Sequence, residues 1–168
     1  MKFKYNLIAF LFIGAVGAIS HFIYEWSGYN HIIGYFVSIN ESTWEHLKLL
    51  FFPTVIFSFG EYFFVKREIK NYIPSVVISL CVCMISIITL FYTYKGFLGF
   101  NVDFINILTF YISLIIMLIV KSKLIETEKF KGENYALIFL TIGFLIALLF
   151  VFFTYNPPAL GVFFPPNS

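Results

Sequence analysis

Residues 73–94 read IPSVVISLCVCMISIITLFYTY, an unbroken stretch without Asp, Glu, Lys or Arg. A helix needs roughly 20 apolar residues to cross the ~30 Å hydrocarbon core of a bilayer, and this stretch is long enough. Outward from it the same character recurs, in windows near 5–24, 47–65, 102–120 and 135–155. The window at 72–94 completes a set of five. Only 12% of the 168 residues are charged and 60% are hydrophobic. The mean hydropathy of +0.90 exceeds what a chain of this size can bury in a soluble core. The alternation of a membrane barrel is absent, and helices satisfy their own backbone hydrogen bonds in lipid. The predicted fold class is therefore all-α: a polytopic membrane helix bundle of about five transmembrane helices. It forms a single integral membrane domain over 1–168, with an outer polar loop at 25–46. In the fourth window Asn106, Thr109 and Ser113 recur at spacings that share a helix face, so that face is expected to meet other helices.

Basic residues set the orientation. With the amino terminus cytoplasmic, Lys2, Lys4, Lys66, Arg67, Lys70, Lys121, Lys123, Lys129 and Lys131 all lie inside, nine of the eleven Lys and Arg, and only Lys48 and Lys95 lie outside. The carboxyl terminus is then outside, and the net charge of +2 reflects topology rather than nucleic-acid binding. A cleaved leader is the alternative reading of the first window, because Ala15 to Ala18 offers small residues after a basic start. The apolar character resumes at Phe22, which favours a retained span. Cys81 and Cys83 point to different sides of a helix and make neither a disulfide framework nor a metal pair.

The outer loop differs from the rest. All three histidines and three of the nine acidic residues fall within the 26 positions from His21 to His46. The run HFIYEWSGYNHIIGYF from His21, then NESTWEHLKLLFFP from Asn40, resembles an uncharacterised family of small multi-spanning membrane proteins of Gram-positive anaerobes. Its motifs are YEWSG and NESxWEHLK. Glu61-Tyr62 and Thr154-Tyr155-Asn156-Pro157-Pro158 extend the likeness over most of the chain. The resemblance implies a shared fold and site in a multi-pass protein of the bacterial cell membrane, without an assigned activity. The tail closing on Asn167-Ser168 departs from the more polar end of that family.

His21 and Glu25 are four apart and share a helix face, with Gly14, Gly17 and Gly28 on nearly the same stripe. Small residues there admit a second helix closely. Ser42-Thr43-Trp44-Glu45 has the form of a capping box, so that helix is expected to begin near 40–42, carrying Glu45 and His46 in its first turn. Two histidines with glutamates on neighbouring helix ends have the composition of a metal site. The expected ligands are His21, Glu25 and His46, around a divalent transition metal, zinc foremost. Glu45 or Glu41 would be a further ligand or general base, although capping of the helix dipole is their plain role. Ser42, Trp26, Trp44 and Asn40 would line a substrate pocket, unless the tryptophans are interfacial anchors. Neither HExxH nor ExxH occurs; Ser42 and His46 make an SxxxH pair without the later histidines of ceramidase-like hydrolases.

Residues 32–37 are too apolar for an exposed loop and too few for a span, and are expected to fold back and roof the cluster. Glu61 is expected to snorkel toward Lys66 and Arg67, or to belong to a pathway through the bilayer. Pro53 should kink its helix, and Pro157-Pro158 should end the last span, leaving an apolar tail across the bundle's outer surface. Three functions remain open: a metal-dependent hydrolase acting on a lipid or small interfacial substrate, a non-enzymatic binding, sensing or assembly subunit, and a small ion- or proton-coupled transporter.

Overall fold

The computed structural model describes residues 3–65, 69–127 and 129–166. They form helices α1 (Phe3–Trp26), α2 (His31–Gly34), α3 (Thr43–Val65), α4 (Tyr72–Leu98), α5 (Asp103–Ile125) and α6 (Glu133–Tyr155), then a 3-10 turn at Gly161–Phe163, and among these residues there is no strand. Every helix but α2 is long and apolar enough to cross a membrane, giving five spans and the multi-pass bundle that the apolar windows predict.

The helices α1, α3, α4 and α5 enclose a core that includes Ile13, Leu50, Phe51, Leu80, Leu114 and Met117. α1 and α3 run in opposite directions: His21 faces His46 at one end, and Phe12 meets Phe57 further along. α6 leans on α4 and buries only Phe150 and Thr154, so its apolar surface, Leu137 and Phe144 included, is left for lipid. Thr109 and Ser113 of α5 are buried, as the polar stripe predicts.

Midway along the α1–α3 contact the two backbones approach closely at Gly17. Pro53 has no N–H, so the Leu49 carbonyl one turn earlier lacks its helical donor. That carbonyl meets Gly17: a methyl group there would stand 2.6 Å from the Leu49 oxygen and 2.9 Å from the Phe110 ring. Glycine is required by the close approach, which leaves the freed carbonyl covered by α1 rather than facing lipid. Gly14 serves a different neighbour, the ring of Tyr111 on α5. Gly28 is outside this stripe; it lies beyond the end of α1 at φ 68°, with nothing near enough to meet an added methyl group.

The short helix α2 is the folded-back element expected at 32–37. Asn30 caps it, its Oδ1 accepting from the backbone N–H of Ile32 and Ile33 at 2.9 and 3.3 Å. It does not roof the histidines. It packs on α1 beside Tyr24, and its hydrogen bonds run to α3 and α6, where Lys48 Nζ donates to the Gly34 carbonyl at 2.8 Å and Tyr155 donates to the His31 carbonyl at 3.0 Å. Phe36 packs on Phe52. The carboxyl-terminal tail crosses the ends of α3 and α4, burying Phe163 against Trp44 and tying the Pro166 carbonyl to Lys95 at 2.6 Å.

Candidate functional site

At the shared end of α1 and α3, His21, Glu41 and His46 each offer a ligating atom within 4.8 Å of the others. His21 comes from the last two turns of α1 and His46 from the first turn of α3; Glu41 precedes the Ser42 cap of that helix. Ser42 Oγ accepts from the Glu45 N–H at 3.3 Å, and Asn40 Oδ1 accepts from the Ser42 N–H at 2.8 Å. Two successive side-chain caps thus fix the chain that carries Glu41. The capping box is only half formed, because Asn40 takes the donor that Glu45 would have reached.

The Glu41 carboxylate lies between the rings. His21 Nε2 is 3.5 Å from Oε1 and His46 Nε2 is 3.4 Å from Oε2. The ring centroids are 5.3 Å apart. His46 Nδ1 lies 2.9 Å from the Ser42 carbonyl, which can only accept, so this nitrogen carries the proton. In the neutral ring Nε2 then presents its lone pair to a carboxylate, an arrangement that needs a cation between them, either a proton or a metal. A backbone carbonyl behind Nδ1 is also the usual outer support of a histidine ligand. Both separations exceed an ordinary hydrogen bond. Each is close to the separation of about 3.3 to 3.5 Å between two ligands of a tetrahedral ion, but the two nitrogens face different carboxylate oxygens, and the three ligating atoms lie within 4.8 Å of one another. His21 Nδ1 is buried and has no hydrogen-bond partner. Contact with His46 is the main reason the Glu41 carboxyl sits below the usual carboxylate range; partial burial acts against it, and the charges of His46 and His21 add to the lowering. The Glu41 side chain is 63% exposed, so the site opens to the water-facing end of the bundle.

The other predicted site residues fall elsewhere. Glu25, one turn beyond His21, is exposed and is not one of the three clustered ligands. Trp26 is exposed as well. Glu45 is buried and turned toward the opposite side of α3, where its Oε2 lies 2.6 Å from Lys48 Nζ and accepts from the Ile39 N–H at 3.0 Å. Lys48, 0% exposed, also donates to Gly34 and to Thr154 Oγ1 of α6 at 3.0 Å. These contacts make Glu45 and Lys48 a joint between α3, the outer loop and α6. Trp44 is not a lipid-facing anchor: its ring sits 4.7 Å from both Phe150 and Phe163, under the tail. His31 is exposed against Tyr155, away from the cluster.

Glu61 does not snorkel outward. It is buried, its Oε2 receiving Lys121 Nζ at 2.5 Å and the Tyr72 hydroxyl at 2.6 Å. Lys66 and Arg67 lie outside the described residues. Sequence reasoning missed Lys48, Thr154, Tyr72 and Lys121. The available signal was a lysine three residues after Glu45 within an apolar helix, because a cation there requires an acceptor nearby.

No curated protein and no solved structure matches the chain. A family model described as a family of unknown function matches residues 1–166. The chain, a five-span helical bundle with a His–Glu–His cluster at one end, belongs to that family, DUF6512.

Proposed function

We propose that the protein is a membrane-embedded, metal-dependent hydrolase acting on a lipid or small substrate at the bilayer face, with a divalent transition metal held by His21, Glu41 and His46. The observation that carries this reading is the 3.4 and 3.5 Å spacing of two imidazole nitrogens about one carboxylate, with the His46 tautomer fixed from behind by Ser42. Three protein ligands leave a fourth position for water, as in catalytic rather than structural zinc sites. Zinc is foremost by ligand type, and it would supply Lewis acidity and a water of lowered pKa. Glu25, one turn beyond His21, is a carboxylate that would take a proton, since Glu45 is engaged by Lys48. The pairing of Glu61 with Lys121 weighs against a cation pathway through the bundle. The distribution of Lys and Arg favours an outward-facing site. A reporter active only in the cytoplasm should work after Lys70 or Lys131 and fail after Asn101.

Metal analysis of the purified protein in detergent tests the reading. About one zinc per chain is expected in wild type. It should be lost in His21→Ala and His46→Ala and retained in His31→Ala. Hydrolysis of a fluorogenic lipid ester should stop with a chelator and return with zinc. Metal surviving in both histidine variants, or none in carefully prepared wild type, would reduce the cluster to a polar network and favour a binding or sensing subunit.

A further inference from the structure

A second concave site lies at the same end of the bundle. A groove of about 520 Å³ runs between the end of α4, the start of α3 and the tail, lined by Thr43, Phe91, Tyr92, Lys95, Phe164 and Pro166. Its floor is aromatic and its one charged lining residue is Lys95. Among the described residues that ammonium meets no carboxylate; it donates to the Pro166 carbonyl and stands 6.0 Å from the Phe91 ring centroid. Among the described residues this one acceptor leaves two of its three donors unused. Lys95 lies one turn before the end of α4 and Thr43 begins α3, so the groove opens where the spans end, at headgroup depth.

We infer that this groove seats the headgroup of an anionic phospholipid. Lys95 takes the phosphate and the Thr43 hydroxyl adds a donor. Phe91, Tyr92 and Phe164 cover the adjoining glycerol and first acyl carbons. A positive charge on an apolar wall at this depth complements an anionic amphiphile and fits a zwitterionic one less well. Thr43 is three residues before His46, so their Cβ atoms are about 5–6 Å apart. A lipid in the groove therefore lies beside the His21–Glu41–His46 cluster. Its role as substrate rests on the hydrolase reading; its binding does not.

The experiment uses the full chain in nanodiscs of phosphatidylcholine with one fifth phosphatidylglycerol, and native mass spectrometry reads which lipid stays bound. Wild type and His46→Ala should both retain phosphatidylglycerol preferentially. Lys95→Gln should lower the preference about fivefold, the worth of one interfacial lysine, and Lys95→Arg should restore it. A photoreactive phosphatidylglycerol on wild type should label the segments around Phe91 and Phe164, whatever the stability of the Lys95 variants. Undiminished preference in Lys95→Gln, or labelling confined to the lipid face of α6, would overturn the proposal. Failure of the metal reading alone would appear as metal-free wild type that still selects phosphatidylglycerol.

Discussion

Two carboxylates stand at opposite ends of the antiparallel pair α1 and α3, and they keep different company. Glu61, near one end, is closed by a resident ammonium from Lys121 and a phenol from Tyr72. Glu41, at the other, is flanked by two imidazoles, one of which must present a lone pair to it when neutral. Residues 46 and 61 are separated by about 22 Å of helix. Within that length the partner, and not the carboxylate, decides the role. A carboxylate with its own cation is a joint, and one between imidazoles is, on the proposed reading, one ligand of a metal ion.

The contrast can be broken most decisively at the inner pair. Lys121→Met leaves Glu61 buried without its cation and should cost about 3–5 kcal/mol, seen as a fall in the melting temperature in detergent, while the double variant with Glu61→Gln recovers most of it. Glu41→Gln, in the exposed cluster, should change melting by less than about 1 kcal/mol while abolishing metal retention. Equal melting of Lys121→Met and wild type would show that the inner pair is no joint.

A smaller effect is expected where the two ends are linked. Gly17→Leu forces a side chain against the Leu49 carbonyl and should cost about 1–3 kcal/mol. It should also lower metal content by parting His21 from His46. Unchanged melting with unchanged metal would show that the helices can separate there without disturbing the site.

The smallest effects concern protons. Imidazole must be neutral to bind metal, so retention should fall as the medium is acidified and the rings take up protons. Glu41, held below the usual range, remains ionised over that range and does not limit binding. In metal-free protein its stabilising contribution is complete above about pH 4.3 and is lost as pH falls through its lowered folded value. A melting curve rising with acidification below pH 4 would contradict this sign.

The spans were legible in the sequence because each is a local property of some twenty residues. That His21 and His46 lie together was legible for a related reason, since helix ends can be read from spacing and caps. What failed was partner choice. Glu25 shares a helix face with His21, yet Glu41 reaches both rings because the Asn40 and Ser42 caps turn it inward. Lys48 reads as an outer-loop charge until Thr154, 106 positions away, is packed beside it. Glu61 had basic neighbours at hand in sequence but found Lys121, 60 positions on. Such choices depend on which helices are adjacent, and apolar periodicity leaves that open in a bundle without internal repeats.

The joints on α3 also bear on how the protein is made. This helix is the least apolar of the five spans, and it carries Glu45, Lys48 and Glu61 into the bilayer. The acceptor on Thr154 and the ammonium of Lys121 belong to helices synthesised later. Glu45 and Lys48 neutralise each other within α3, but during translation α3 leaves the ribosome before the ammonium that neutralises Glu61 exists. Stable seating of α3 is therefore expected to await α5, which brings Lys121. Nascent chains halted before Asp103 should show α3 partly accessible to a water-soluble thiol reagent at an introduced cysteine, and chains completed through Tyr155 should not.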